Sequence, residues 1–372
     1  VKVLIVSGIW PPDVGGPASH SPELAEFLRA RGHGVEVVTT ADAPPAPEPY
    51  LVHFVSRRTP TGLRHLAVAA LVARRARAAD VVYVTSMFGR AALGAFLARR
   101  PLVAKVVADP AYERARHLGL FSGSLAEFQE ASGGIRIGVL RRARDLALRR
   151  ARHAVCPSGY MKELAQGWGL APDRVTVLPN PAPGVPPLPS HEELRAGRDL
   201  PLLAFAGRIN RQKALEVLLA AMSQVEGVEL VLAGEGPERE RFEQETRRLG
   251  LDGRVRFVGA LDRVGVLKLF RSADASILSS AWENFPHTVV EALAVGTPVI
   301  STAAGGVAEI VKDGENGLLV PVGDADALAA AIRRYLDDGA LQARLRANAA
   351  ASVEPLRRDS VYGRLERILA EA

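Results

Sequence analysis

"NPAPGVPPLPS", residues 180–190, places five prolines in eleven positions. Proline fixes φ and has no N–H to give to a helix or a ladder, so the stretch reads as an extended linker. On its N-terminal side short apolar runs recur: "VKVLIVSG", "VEVVTT", "ADVVYVTS", "PLVAKVVAD", "HAVCPS" and "RVTVLPN". Between them lie helical stretches such as "SPELAEFLRARG" (21–32) and "LRHLAVAALVARRARA" (63–78). On its C-terminal side the pattern restarts with "PLLAFAGR", "VELVLAGEG", "VRFVGAL", "ASILSS", "PVISTA" and "NGLLVPV". Nearly unbroken apolar strands separated by helices predict parallel sheets covered on both faces. The expected architecture is therefore α/β, with two doubly wound Rossmann-like domains, 1–185 and 186–355, and a site in a deep cleft between them. A last helix, 356–372, either caps the second domain or crosses back to the first.

Composition narrows the class. Of 372 residues, 48% are hydrophobic and 24% charged, ordinary for a globular chain with two cores. No apolar run reaches the length of about 20 residues that spans a bilayer. The opening "VKVLIVSGIW" reads as a first strand, not a signal peptide. A single cysteine, Cys156, fits a reducing compartment, and a cytoplasmic protein is the default expectation. Charge is uneven: 1–185 holds 24 Lys and Arg against 14 Asp and Glu, whereas 186–372 holds 23 against 27. The basic half suits an anionic partner. Aromatics at 5% and the lack of zinc-finger or RNA-binding spacing argue against nucleic acid. "RIGVLRRARDLALRRAR" (136–152), with seven arginines to one aspartate, reads either as a charged outer helix face or as a helix lying on anionic lipid at the inner face of a membrane.

The chemistry is sought just after each strand, where doubly wound sheets bind ligands. In "AWENFPHTVVEALAVG" (281–296), Pro286 suits a helix start and Gly296 its stop. Glu283 then stands in the loop before the helix and Glu291 in its middle. A helix N-terminus between two carboxylates suits a ligand ordered hexose, diphosphate, ribose, with hydroxyls at both ends and an anion at the centre. "AFAGRINRQKALEVLLAAM" (204–222) puts Arg208 and Lys213 between a strand and a helix, two cations matched to a diphosphate without a metal. "SGIWPPDVGGPASH" (7–20) brings Gly15 and Gly16 to a strand end, where backbone can approach a ligand closely. Neither this loop nor "AGEGPE" (233–238) has the dinucleotide glycine spacing. "GDADAL" (323–328) is a D-x-D by letter, but precedes a helical run, so Asp324 reads as an N-cap. The eight histidines show no metal-ligand spacing. Cys156 reads as inert core.

Arg208, Lys213, the Glu283-to-Glu291 segment and "GGVAEIVKDGENGLLV" (305–320) together resemble family 4 of the retaining glycosyltransferases, of GT-B fold. The resemblance spans nearly the whole chain and is strongest over 202–335. It implies that Glu283 and Glu291 match the family's E-x7-E motif, with Glu283 on the donor hexose and Glu291 on the ribose hydroxyls. It implies that Arg208 and Lys213 neutralise the departing diphosphate. Backbone at Gly207 and along Asn284, Phe285, Pro286, His287 and Thr288 would meet the sugar and phosphates. Gly259, Ala260 and Leu261 would hold the base, and Gly15 and Gly16 would close over the donor. Asp109 stands where many members carry a histidine, in reach of a sugar hydroxyl, and Pro286 replaces a common glycine.

The expected function is retaining hexosyl transfer from a UDP-, GDP- or ADP-sugar to a glycan, lipid-linked or small-molecule hydroxyl, with no metal and no cofactor. The competing readings are a nucleotide-sugar epimerase of the same fold, a nicotinamide-linked dehydrogenase, and a non-catalytic module for nucleotide or anionic lipid. The dehydrogenase would need the missing dinucleotide fingerprint. The epimerase would need acid/base groups that no motif supplies.

Overall fold

The computed structural model describes residues 1–13, 16–195 and 199–372. The chain divides into two compact units, Val1–Pro179 with Val361–Ala372, and Asn180–Ser360.

The first unit holds strands β1 (Lys2–Val6), β2 (Gly34–Ala41), β3 (Leu51–Ser56), β4 (Val81–Val84), β5 (Leu102–Lys105), β6 (His153–Cys156) and β7 (Val175–Val177). Its helices are α1 (Gly16–Ala30), α2 (Thr61–Ala76), α3 (Phe88–Ala98), α4 (Pro110–His117), α5 (Leu125–Glu130), α6 (Gly134–Arg149) and α7 (Gly159–Gly167). The sheet runs β3-β2-β1-β4-β5-β6-β7 and every pair is parallel. Alternate residues feed opposite cores, as the strand period of two requires. Val3 and Ile5 join Leu24 and Leu28 of α1 on one face, and Leu4 and Val6 join Val68 and Val72 of α2 on the other. The chain's last helix, Arg358–Glu371, adds Val361, Tyr362 and Leu365 to the α1 side.

The second unit holds α8 (His191–Arg195), β8 (Leu202–Ala206), α9 (Leu215–Met222), β9 (Glu229–Ala233), α10 (Arg239–Arg248), β10 (Val255–Gly259), α11 (Arg263–Ser272), β11 (Ala275–Leu278), α12 (His287–Ala294), β12 (Val299–Thr302), α13 (Val307–Ile310), β13 (Gly317–Val320), α14 (Ala325–Asp337) and α15 (Gly339–Ser352). Its sheet runs β10-β9-β8-β11-β12-β13, again wholly parallel. Central strands such as β8 are buried at every residue, which is why they read as unbroken apolar runs.

Two local readings differ from expectation. β3 is an added edge strand, half exposed along its length. Helix α1 runs from Gly16 through Pro22 and does not start there, so proline gives up only the one bond it cannot donate.

Candidate active site

In the second sheet, chain order departs leftward from β8 to β9 and β10, and rightward from β11 to β12 and β13. The switch point thus lies between β8 and β11, where the two following loops turn apart and leave a crevice. Those loops are 207–214 and 279–286, the two that carry Arg208, Lys213 and Glu283.

Side chains knit the loops together. The Lys213 ammonium donates to Oε1 of Glu283 at 2.6 Å, and the Ser280 hydroxyl donates to the same oxygen at 2.7 Å. The Gln212 amide donates to the Trp282 carbonyl at 3.0 Å and reaches Oε2 of Glu283 at 3.5 Å. The backbone does the same: Ala281 N–H donates to the Gln212 carbonyl and the Ser279 hydroxyl to the Lys213 carbonyl, both at 2.8 Å. Glu283 is only 6% exposed, so an ionised carboxylate there depends on these partners. Its own carbonyl accepts from Gly306 N–H at 3.0 Å, tying in the loop after β12.

The β8 loop has an unusual shape with a visible cause. Asn210 caps a short 3-10 turn, Arg211–Lys213, and Ala214 follows in the left-handed region at φ +44° before α9. A non-glycine residue held there costs about 1–2 kcal/mol. The neighbouring "AGEGPE" supplies the room for this loop. A Cβ on Gly234 would fall 1.8 Å from the Gly207 carbonyl oxygen, and one on Gly236 would fall 2.0 Å from that of Ile209. Ile209 N–H donates to the Glu235 carbonyl at 2.9 Å and Gly207 N–H to the Ala233 carbonyl at 2.9 Å. These glycines therefore serve the cation loop through backbone contact.

Arg208 is exposed and makes no hydrogen bond or ion pair among the described residues. Glu291 is the fifth residue of α12, half-buried beside Val290 and Ala292, which are buried in the core. Burial lifts its carboxyl to about 6, against an opposing pull from the Arg263 charge. The folded protein therefore keeps a proton that the unfolded chain has lost between about pH 4.5 and 6, and stability falls as pH rises through that window. Glu291→Gln is expected to match wild type at pH 4 and to exceed it at pH 7.5, by up to about 2 kcal/mol. Urea unfolding at the two pH values measures this; equal margins at both would place the carboxyl in an unperturbed setting.

Other expected positions fall as follows. Phe285 is buried in the core, His287 is exposed with Nε2 at 3.3 Å from the Asn180 amide, and Thr288 is half-buried. Pro286 is the N-cap of α12, one position ahead of the expected first turn. Gly259 ends β10 at φ +77°, where its carbonyl accepts from Gly234 N–H at 2.7 Å, and Ala260 and Leu261 follow exposed. Gly15 lies outside the described residues, and Gly16 opens α1. That loop follows β1, at the first sheet's own switch point with β4, where Gly8 N–H donates to Ser86 Oγ at 2.5 Å. Asp324 caps α14 by accepting from Ala327 N–H at 2.8 Å. Cys156 is buried and its thiol is pushed up to about 12.

Asp109 requires a correction. It is fully buried and both its oxygens are engaged inside the first unit. Oδ1 caps α4 by accepting from Ala111 and Tyr112 N–H, and Oδ2 accepts from Arg144 at 2.6 Å and Gln129 at 3.0 Å. No lone pair is left facing outward for a sugar hydroxyl, so Asp109 is a structural anchor and not a donor contact.

The two units resemble known proteins. Residues 15–181 match the "Glycosyl transferase 4-like domain" and residues 189–352 match "Glycosyl transferases group 1". The glycogen synthase of Mycobacterium tuberculosis is 29% identical, over 93% of this chain and 89% of that protein. The lipopolysaccharide core biosynthesis glycosyltransferase LpsE of Rhizobium meliloti is 37% identical over 40% of this chain and 43% of its own. Among solved structures, Anabaena Alr3699/HepE in complex with UDP superposes with a TM-score of 0.82 over the whole of both chains at 22% identity. Each of the two Rossmann-like units is thus matched by the model of a glycosyltransferase domain, group 1 for the second, and the fold is that of GT-B enzymes.

Proposed function

We propose that the protein moves a hexose from a nucleoside diphosphate sugar to an acceptor hydroxyl with retention of anomeric configuration and without a metal ion. The observation that carries this reading is the joining of the cation loop to the carboxylate loop, Lys213 on Glu283 at 2.6 Å, at the switch point of the second sheet. In the reaction the bond from the sugar's anomeric carbon to the phosphate oxygen breaks and the bond to the acceptor oxygen forms on the same face. The diphosphate takes the electron pair, and its oxygen receives the acceptor's proton. The protein's task is to stabilise the charge gathering on that leaving group. Lys213, held on Glu283, and the exposed Arg208 supply cations for it, and the first turn of α12 supplies N–H groups. Glu283, held by Ser280 and Gln212, accepts from sugar hydroxyls, and Glu291 accepts from the ribose pair. Since an Anabaena structural neighbour holds UDP, a UDP-sugar is the first donor to test, with GDP- and ADP-sugars beside it.

Thermal unfolding with UDP, GDP or ADP, each in EDTA, tests the reading on wild type and Glu291→Ala. A nucleotide at about 100 times its dissociation constant stabilises by about 2.7 kcal/mol. One nucleotide is expected to raise the melting temperature of wild type and not of the folded variant. If none does, or if the variant shifts equally, the donor site is misplaced.

A further inference from the structure

Helices α2, α3 and α6 pack side by side on one face of the first sheet. Their buried residues, among them Val72, Ala95 and Leu148, enter one core cluster, so their opposite stripes face outward together. Those stripes are not polar. On α6, Ile135, Val139 and Leu146 are exposed, Ile135 by 88%, and they share a face with Arg142 at the spacing of one helix side. On α3, Leu93 and Phe96 are exposed, Phe96 by 63%, and on α2 Leu66 is exposed by 65%. Gly94 brings α3 against α2 so closely that a Cβ there would lie 2.6 Å from Val72 side-chain carbons. Arg150 lies over the Phe96 ring at 5.6 Å and joins α6 to α3. The patch is thus continuous across three helices.

Its charge is one-sided. Helices α2 and α3 contain no Asp or Glu, and the only acid of α6, Asp145, is bonded to Arg144 at 2.9 Å. Arg74, Arg77, Arg99, Arg100, Arg136 and Arg142 are exposed around the apolar side chains. Large aliphatic and aromatic groups ringed by arginine match a surface that is apolar below and anionic above. We propose that this face docks on an anionic lipid bilayer, with Phe96 and Ile135 entering the interface and the arginines meeting phosphate headgroups. A second copy fits poorly, because a twofold contact would press arginine against arginine. Nucleic acid would use the arginines and leave the aliphatic side chains in water.

Co-sedimentation of the full chain with vesicles tests the proposal independently of turnover. One set is phosphatidylcholine alone and the other contains a third phosphatidylglycerol. Wild type is expected to partition at least about tenfold more strongly onto the anionic set, and less so in high salt. Arg136→Glu with Arg142→Glu, and separately Phe96→Ser with Ile135→Ser, are each expected to lower that partition at least about tenfold while leaving the melting temperature unchanged. Equal partition onto both vesicle sets, or onto neither, overturns the proposal. Loss in the charge variant alone also overturns it, since it marks a purely electrostatic contact such as nucleic acid makes. So does a wild-type dimer in sedimentation velocity that the Phe96→Ser, Ile135→Ser variant abolishes.

Discussion

Lys213→Met is expected to lower kcat by about 10²–10³, the usual consequence of removing one preorganised group that meets charge developing on a leaving group. The same change also strips Glu283 of its only cationic partner among the described residues. The carboxylate would then sit 6% exposed with the Ser280 hydroxyl and the Gln212 amide as its remaining partners among the described residues. Breaking one side of a buried pair commonly costs about 3–5 kcal/mol, because the remaining charge stays desolvated. The two losses separate in the double variant. Lys213→Met with Glu283→Gln removes the stranded charge and is expected to recover most of the lost stability, but none of the lost rate. The measurement is a pair of unfolding curves with initial rates scaled to the folded fraction, using the donor nucleotide that binds. If the rate per folded molecule in Lys213→Met matches wild type, Lys213 is a structural counterion for Glu283 and the leaving group is stabilised by other residues.

Both sheets were legible because most of their strands are buried on both faces and so are written as plain apolar runs. The exception explains itself. "LVHFVS" of β3 lies at a sheet edge and follows "APPAPEPY", so none of its residues is fully buried and its N-terminal boundary carries turn signals. The cations and carboxylates could be named from chain position, since each follows a strand. Their neighbours could not. Gln212 and Ser280 hold Glu283 through a 3-10 turn and a loop, where no periodicity marks a side chain. Gly234 and Gly236 were visible as glycines, but their purpose is a close backbone approach between two strand ends that are distant in sequence. Sequence spacing carries no information about that distance. Asp109 was misread although the signal was present. Aspartate followed by proline at the start of a helical run is an N-cap with proline at the first position, and the structure uses it so. What the sequence withheld was Arg144, 35 residues on, whose charge allows that carboxylate to be buried.

The Asp109 assignment has a large and opposite consequence to the one expected of a donor contact. Arg144 is nearly as buried as Asp109, donates to it at 2.6 Å, and stacks over the Trp168 ring at 4.3 Å. Trp168 in turn donates to Gln129 at 2.9 Å, and Gln129 donates back to Asp109. Asp109→Ala therefore leaves a buried guanidinium without its main acceptor and uncaps α4. The first loss is about 3–5 kcal/mol and the second about 1 kcal/mol. At about 2–4 °C per kcal/mol for a unit of this size, the melting temperature of the first unit is expected to fall by about 10 °C or more. Asp109→Asn keeps an oxygen for the cap while losing the charge, so its fall should be smaller. In both variants the donor KM of the folded fraction should stay at the wild-type value, since Asp109 faces no solvent. A calorimetric scan and a donor titration below the unfolding range decide the matter together. A raised donor KM in Asp109→Asn with an unmoved melting temperature would return Asp109 to the sugar. The network that closes around its two oxygens leaves no route for that result without first opening the Arg144 contact.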